Sequence, residues 1–135
     1  MLVRCIAFIS YLAYPPNKVR GFALAPFLSM SCAISVKAFD GRQVLLLDED
    51  WLHISFRHPE VGFETELLSR ALIQPDEAYR NGRGGVHALM RIDESHFLVV
   101  IYESTDNEGL VRRAYLMNVS RKERRYRQLL CLKRS

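Results

Sequence analysis

Apolar positions along this chain change period several times, and each change marks an element. Residues 34–39 and 43–48 are β-rich runs separated by Asp40-Gly41-Arg42, and Asp-Gly between two apolar runs predicts a hairpin. The next stretch, 48–61, reads DEDWLHISFRHPEV. Trp51, Ile54 and Phe56 supply an apolar side there, and His53 and Arg57, four apart, share the other, as on an amphipathic helix. Asp48 or Asp50 can cap its start, Glu49 suits the positive end of the dipole, and Pro59 stops it. A second helix is predicted over 63–74, with Phe63, Leu67, Leu68, Ala71 and Leu72 on one stripe and Glu66–Arg70 as a favourable pair. A short strand over 77–81 and a glycine-rich turn, NGRGG, come next. Strands follow at 87–92, 97–104 and 110–118, the run FLVVIY being apolar enough to lie centrally in a sheet. Ser120 and Glu123 have capping-box spacing for a last helix from Arg121 to about Leu132. This order gives an α+β domain.

Residues 1–33 break the pattern. The apolar run 5–14 is about half the length that spans a bilayer. Pro15-Pro16 ends it, and Lys18 and Arg20 stand where a secretory signal needs small residues. The segment 1–33 holds no acidic residue, and Met30 is an alternative start. We therefore divide the chain into an N-terminal extension, 1–33, and a single domain, 34–135, which is long enough to bury a core. Cys5, Cys32 and Cys131 are scattered and odd in number. They form neither a disulfide framework nor, with histidine, a zinc spacing, so the expectation is a cytoplasmic protein without metal or cofactor.

Charge is divided unevenly. From Val111 onward nine Arg or Lys face the single acid Glu123, whereas the first 110 residues hold ten basic and fourteen acidic groups. A basic end on a mildly acidic body suits a polyanion or an acidic protein partner. Seven of the nine are arginine, whose forked guanidinium matches phosphate oxygens. A solvated helix is the plainer reading of the same run.

Within strand 110–118 alternation puts Leu110, Arg112, Ala114 and Leu116 on one face and Val111, Arg113, Tyr115 and Met117 on the other. If helices cover the Ala114 face, Arg113 and Tyr115 lie open, where a cation and a phenol could meet RNA. Tyr115 as an ordinary strand aromatic is equally consistent with the pattern. His53 beside Arg57 is a plausible phosphate-handling pair, although both residues simply facing water explains the spacing too. His58 reads as a structural histidine, and His87 and His96 as surface groups flanking a strand. The NGRGG turn lacks the following Lys-Ser/Thr of a P-loop, and no HExxH or GxSxG occurs.

The segments WLHISFRHPEV, LLSRALIQPDEAYR, FLVVIYE and RRAYLMN, in that order, resemble the BECR superfamily of barnase, EndoU, colicin-type and RelE-like ribonucleases, in its phage- and toxin-associated branch. The resemblance covers about 36–126. The ending RKERRYRQ is similar to that of BrnT-type toxins. What the resemblance implies is an antiparallel sheet of about four strands, two N-terminal helices packed on one face, and a basic C-terminal helix. It also implies metal-independent RNA cleavage by 2′-OH attack on the adjacent phosphate. His53 would then be the acid/base, with His58 the next candidate for that role, Arg57 and Arg113 phosphate clamps, and Tyr115 a stacking or proton-donating group. Arg113 stands where the family pattern has Thr or Ser. Arg112, Arg124, Arg125 and Arg127 would grip the RNA backbone.

The expected function is a toxin-type endoribonuclease acting on RNA, either tRNA or ribosome-bound mRNA, and held in check by an acidic antitoxin or immunity protein, with no membrane involved. The alternative is a non-catalytic RNA- or protein-binding module with the same fold, and a third reading is a housekeeping domain without RNA affinity.

Overall fold

The computed structural model describes residues 32–61 and 65–134. The N-terminal extension up to Ser31 and Phe63 of the second predicted helix lie outside the described residues. Seven strands build one sheet: β1 (Cys32–Lys37), β2 (Gln43–Leu47), β3 (Glu77–Arg80), β4 (Gly85–Arg91), β5 (His96–Ser104), β6 (Glu108–Asn118) and β7 (Leu130–Arg134). Their spatial order is β1-β2-β6-β5-β4-β3-β7. All neighbours are antiparallel except β2 and β6, which run parallel where residues 43–45 meet 108–110. Three helices, α1 (Asp48–Arg57), α2 (Thr65–Ile73) and α3 (Val119–Tyr126), and a 3₁₀ turn at Pro59–Val61 complete the described fold.

Strand β5 lies in the middle because both of its faces are apolar. Leu98, Val100 and Tyr102 pack with Val44, Leu46, Ile54, Leu68 and Leu72 in the core that α1 and α2 cover. Phe97, Val99 and Ile101 pack with Tyr79, Leu89, Met117 and Tyr126 in a second core, on the side that α3 covers. The first hairpin is pinned over this strand. Gly41 takes φ +91, and Asp40 accepts hydrogen bonds from the Tyr102 hydroxyl at 2.7 Å and the Arg42 guanidinium at 2.8 Å. Gly109 marks a close approach, since a Cβ there would stand 2.7 Å from Cδ1 of Tyr102.

Several expectations are corrected. The sheet is not four antiparallel strands with two N-terminal helices and a C-terminal helix; it has seven strands in a mixed arrangement, served by three helices. The first hairpin adds two strands by docking β2 beside β6. The chain end adds another, because the free edge of β3 offers backbone groups that need partners. Residues 130–134 supply them, with Cys131 opposite Tyr79 and Arg134 opposite Glu77. The last helix accordingly stops at Tyr126 instead of about Leu132, and its cap is Asn118, whose side chain accepts from the Arg121 N–H at 2.8 Å. Helix α1 begins at Asp48 with Leu47 as N-cap and no side-chain cap, its three first-turn acids facing the dipole. Ile54 is buried as expected, but Phe56 is 85% exposed. Ile54 and the partly buried Trp51 reach the core from α1, whereas Leu52 and Phe56 face outward.

Candidate nucleic-acid interface

The face opposite α1 and α2 is built by register. Strand alternation places His87, Ile101 and Arg113 in one cross-strand row of β4, β5 and β6, and Leu89, Val99 and Tyr115 in the next. A β-bulge between Ile101 and Tyr102 leaves Arg112 without a partner and reverses the alternation beyond it. Val111 therefore joins Ala114 and Leu116 in the helix-covered core, which corrects its expected place beside Arg113. Arg113 is exposed and Tyr115 half-buried. Arg112 is drawn off to carboxylates, 3.9 Å from Asp50 and 3.7 Å from Glu103.

Of the two histidines weighed for the acid/base role, it is His58 that stands beside Tyr115. Helix α1 ends at Arg57 with the His58 N–H bonded to the Ile54 carbonyl at 2.8 Å, and Pro59 turns the chain along the part of β6 that β2 does not pair. The His58 ring thereby reaches Tyr115, with centroids 5.7 Å apart at 44°. Its Nδ1 is 3.1 Å from a Glu60 carboxylate oxygen. A carboxylate on Nδ1 orients an imidazole and leaves Nε2 to work. His53 and Arg57 are exposed on α1. His53 lines a shallow surface concavity with Leu52, Ser55 and Phe56, and its charge acts on Asp50. No described contact joins either residue to Arg113 or Tyr115.

His87, expected at the surface, is 3% exposed. Its Nδ1 meets the Tyr126 hydroxyl at 2.7 Å and its Nε2 the Asn81 amide nitrogen at 3.2 Å. Burial, with the charges of Arg125 and Arg113, pushes its pKa down to about 4, so the ring is neutral near pH 7. Tyr126 stacks on Tyr79 at 4.8 Å. Its ionisation is suppressed by burial first and then by the neighbouring Tyr115, with Arg125 acting the other way.

Helix α3 is held over this face by Lys122 and Tyr126, four residues apart and both buried. The Lys122 ammonium sits 2.8 Å from Glu77, 3.2 Å from Glu123 and 5.1 Å from the Phe97 ring centre. Burying that side leaves Arg121, Arg124, Arg125 and Arg127 outward. Of these, Arg125 is close enough to act on both His87 and Tyr126.

Sequence reasoning missed Glu60, His87, Asn81 and Tyr126. Tyr126, four residues after Lys122 in a charged run, was the available signal for an amphipathic α3; the others are joined only by tertiary contacts. Among the described residues no three His, Cys, Asp or Glu side chains gather as a metal set, and no helix is long and apolar enough to cross a membrane. Comparison with protein-family models, curated proteins and solved structures finds no match to the chain.

Proposed function

We propose that the domain is a metal-independent endoribonuclease of toxin type, working on the sheet face between α3 and the 3₁₀ turn. The observation that carries this reading is an imidazole, His58, fixed by Glu60 against Tyr115, on the strand that also bears the exposed Arg113. RNA cleavage by its own 2′-OH needs a base for that proton, an acid for the leaving 5′ oxygen, and positive charge for the phosphorane. His58 acts as the acid/base, in place of His53. Arg113 binds the phosphate, and Arg125 adds positive charge at the same face. Tyr115 stacks on a base or donates a proton to the leaving oxygen. Arg124 and Arg127 hold the flanking backbone, so binding weakens steeply with salt. An acidic antitoxin or immunity protein in the cytoplasm would complement the same arginines.

The exposed arginines of α3 also favour a second reading, a module that binds RNA without cutting it. One experiment separates the two: cleavage of labelled total RNA in EDTA by the unmodified protein, His58→Ala and His53→Ala. The nuclease reading expects His58→Ala to lose on the order of 10²-fold or more in rate, with His53→Ala close to unmodified. Loss in His53→Ala alone would return the acid/base role to α1. Salt-sensitive binding with no cutting by the unmodified protein would leave the binding module.

A further inference from the structure

We propose that the outward face of α1 is the interface of a homodimer, in which two copies lay this helix antiparallel across a two-fold axis near His53 and Ile54. Neither Arg113 nor Tyr115 takes part, so the inference does not rest on the nuclease reading.

Apolar exposure is what calls for a partner here. Leu52 is 70% exposed and Phe56 85% exposed, and four residues apart they are neighbours on the helix surface. With His53 and Ser55 they line a shallow concavity. Apolar residues scattered singly over a surface need no explanation, but contiguous ones mark contact sites. At about 100° per residue, Glu49, Leu52, His53, Phe56 and Arg57 fall within one outward arc of the helix. All five are exposed. Trp51 and Ile54 lie on the other side, packed into the core.

The charges of that arc decide what covers it. Glu49 stands at its start and Arg57 at its end, and among the described residues neither enters an ion pair within the domain. Asp50, by contrast, lies 3.9 Å from Arg112. A partner carrying one sign of charge gains at one end of the arc what it loses at the other. That argues against an acidic protein, which suits the arginines of α3. It argues equally against residues 1–31, whose charged side chains, Arg4, Lys18 and Arg20, are all basic. A second α1 laid antiparallel gains at both ends, because each Glu49 meets Arg57 of the other copy.

One axis satisfies both kinds of contact. Across a two-fold, if residue i meets j then j meets i. Pairing Leu52 with Phe56 sets the axis at position 54, and pairing Glu49 with Arg57 sets it at position 53. These positions differ by a single helical step of about 1.5 Å. Phe56 of each copy then enters the concavity beside Leu52 and Ser55 of the other, as a side chain on one helix fills a hole between four on its neighbour. The helix has ten residues, so the contact is small and the dimer reversible, with Kd on the order of 10–100 µM.

Sedimentation equilibrium of the full chain from about 5 to 500 µM, at low salt so that the charges are least screened, tests this. The unmodified protein should pass from monomer to dimer over that range. Phe56→Glu should raise Kd at least about 100-fold by placing two charges in the apolar centre. Glu49→Arg and Arg57→Glu each bring like charges together at both ends and should raise it on the order of tenfold. Mixing these two variants in equal amounts should recover the original affinity, because both ends of the mixed pair again carry opposite charges. The three side chains are exposed, so folding transitions at the lowest concentration should match that of the unmodified protein. A monomer at every concentration would overturn the proposal, as would a dimer that survives Phe56→Glu. Weakening by the single charge changes without recovery on mixing would overturn the antiparallel pairing. RNA cleavage plays no part in these readouts, so its absence would count against the nuclease reading alone.

Discussion

Replacing Glu77 by Leu should release α3 from the sheet, because it strands a buried charge. The Lys122 side chain is 6% exposed and its ammonium lies 2.8 Å from Glu77. Glu77 is in turn held by the Tyr79 hydroxyl at 2.5 Å. Removing one member of a buried pair costs about 3–5 kcal/mol when nothing replaces it. Here Glu123 remains at 3.2 Å, but it is 64% exposed and therefore well screened. The expected loss is accordingly about 2–3 kcal/mol, or roughly 10–20 °C in Tm for a domain of this size. Urea denaturation at pH 7 measures it, with Glu77→Leu/Lys122→Met as the control that removes both charges and should recover most of the loss. A Glu77→Leu change below about 0.5 kcal/mol would refute the claim that the pair is buried and holds α3. The pH dependence adds an independent check. Burial alone would raise the Glu77 pKa, but hydrogen bonds from Lys122 and Tyr79, with the charges of Lys122 and Arg134, outweigh it and hold the carboxyl below its usual range. A depressed acid stabilises the fold fully above its unfolded pKa, near 4.5, and the contribution is lost as pH falls through the lower folded value. Glu77→Leu should flatten that part of the acid limb.

Gly109→Ala should cost about 1–3 kcal/mol, since the added Cβ would press on the buried Tyr102 ring and on Val44, and denaturant midpoints report it. His87 gives the domain a second pH dependence. Its folded pKa of about 4 lies below the ordinary 6.5, so between these values the unfolded chain binds the extra proton and stability falls as pH drops from 6.5 toward 4. The loss should be on the order of 2–3 kcal/mol, and thermal unfolding of His87→Gln across this window should show a shallower slope. Combined Arg124→Ala and Arg127→Ala should weaken RNA binding and reduce the slope of log affinity against log salt by about 1–2, read by filter binding at several salt concentrations.

What the sequence determined by itself was local. Asp40-Gly41 between apolar runs is enough for a hairpin, Pro59 is enough to stop α1, and a six-residue apolar run such as 97–102 buries both faces wherever it lies. These follow from backbone geometry and the period of apolar positions, which neighbours in the chain decide. The same information set Arg113 and Tyr115 on one face, because the alternation holds from Arg113 onward. It misplaced Val111, because a bulge is a mismatch between two strands and neither strand announces it alone. The end of the chain went astray for a related reason: 127–132 is as compatible with helix as with strand, and the unfilled edge of β3, some fifty residues earlier, settles the matter. The site shows the division most sharply. His53 stood out through its i,i+4 spacing with Arg57, whereas His58 became the better candidate only when the 3₁₀ turn carried it to Tyr115 and Glu60. His87 read as a surface group until α3 closed over it, and the side of α3 that does so was fixed by Lys122 finding Glu77. Long-range pairing is chosen by complementarity between surfaces that the chain brings together only on folding, so the elements were legible in the sequence and their meeting points were not.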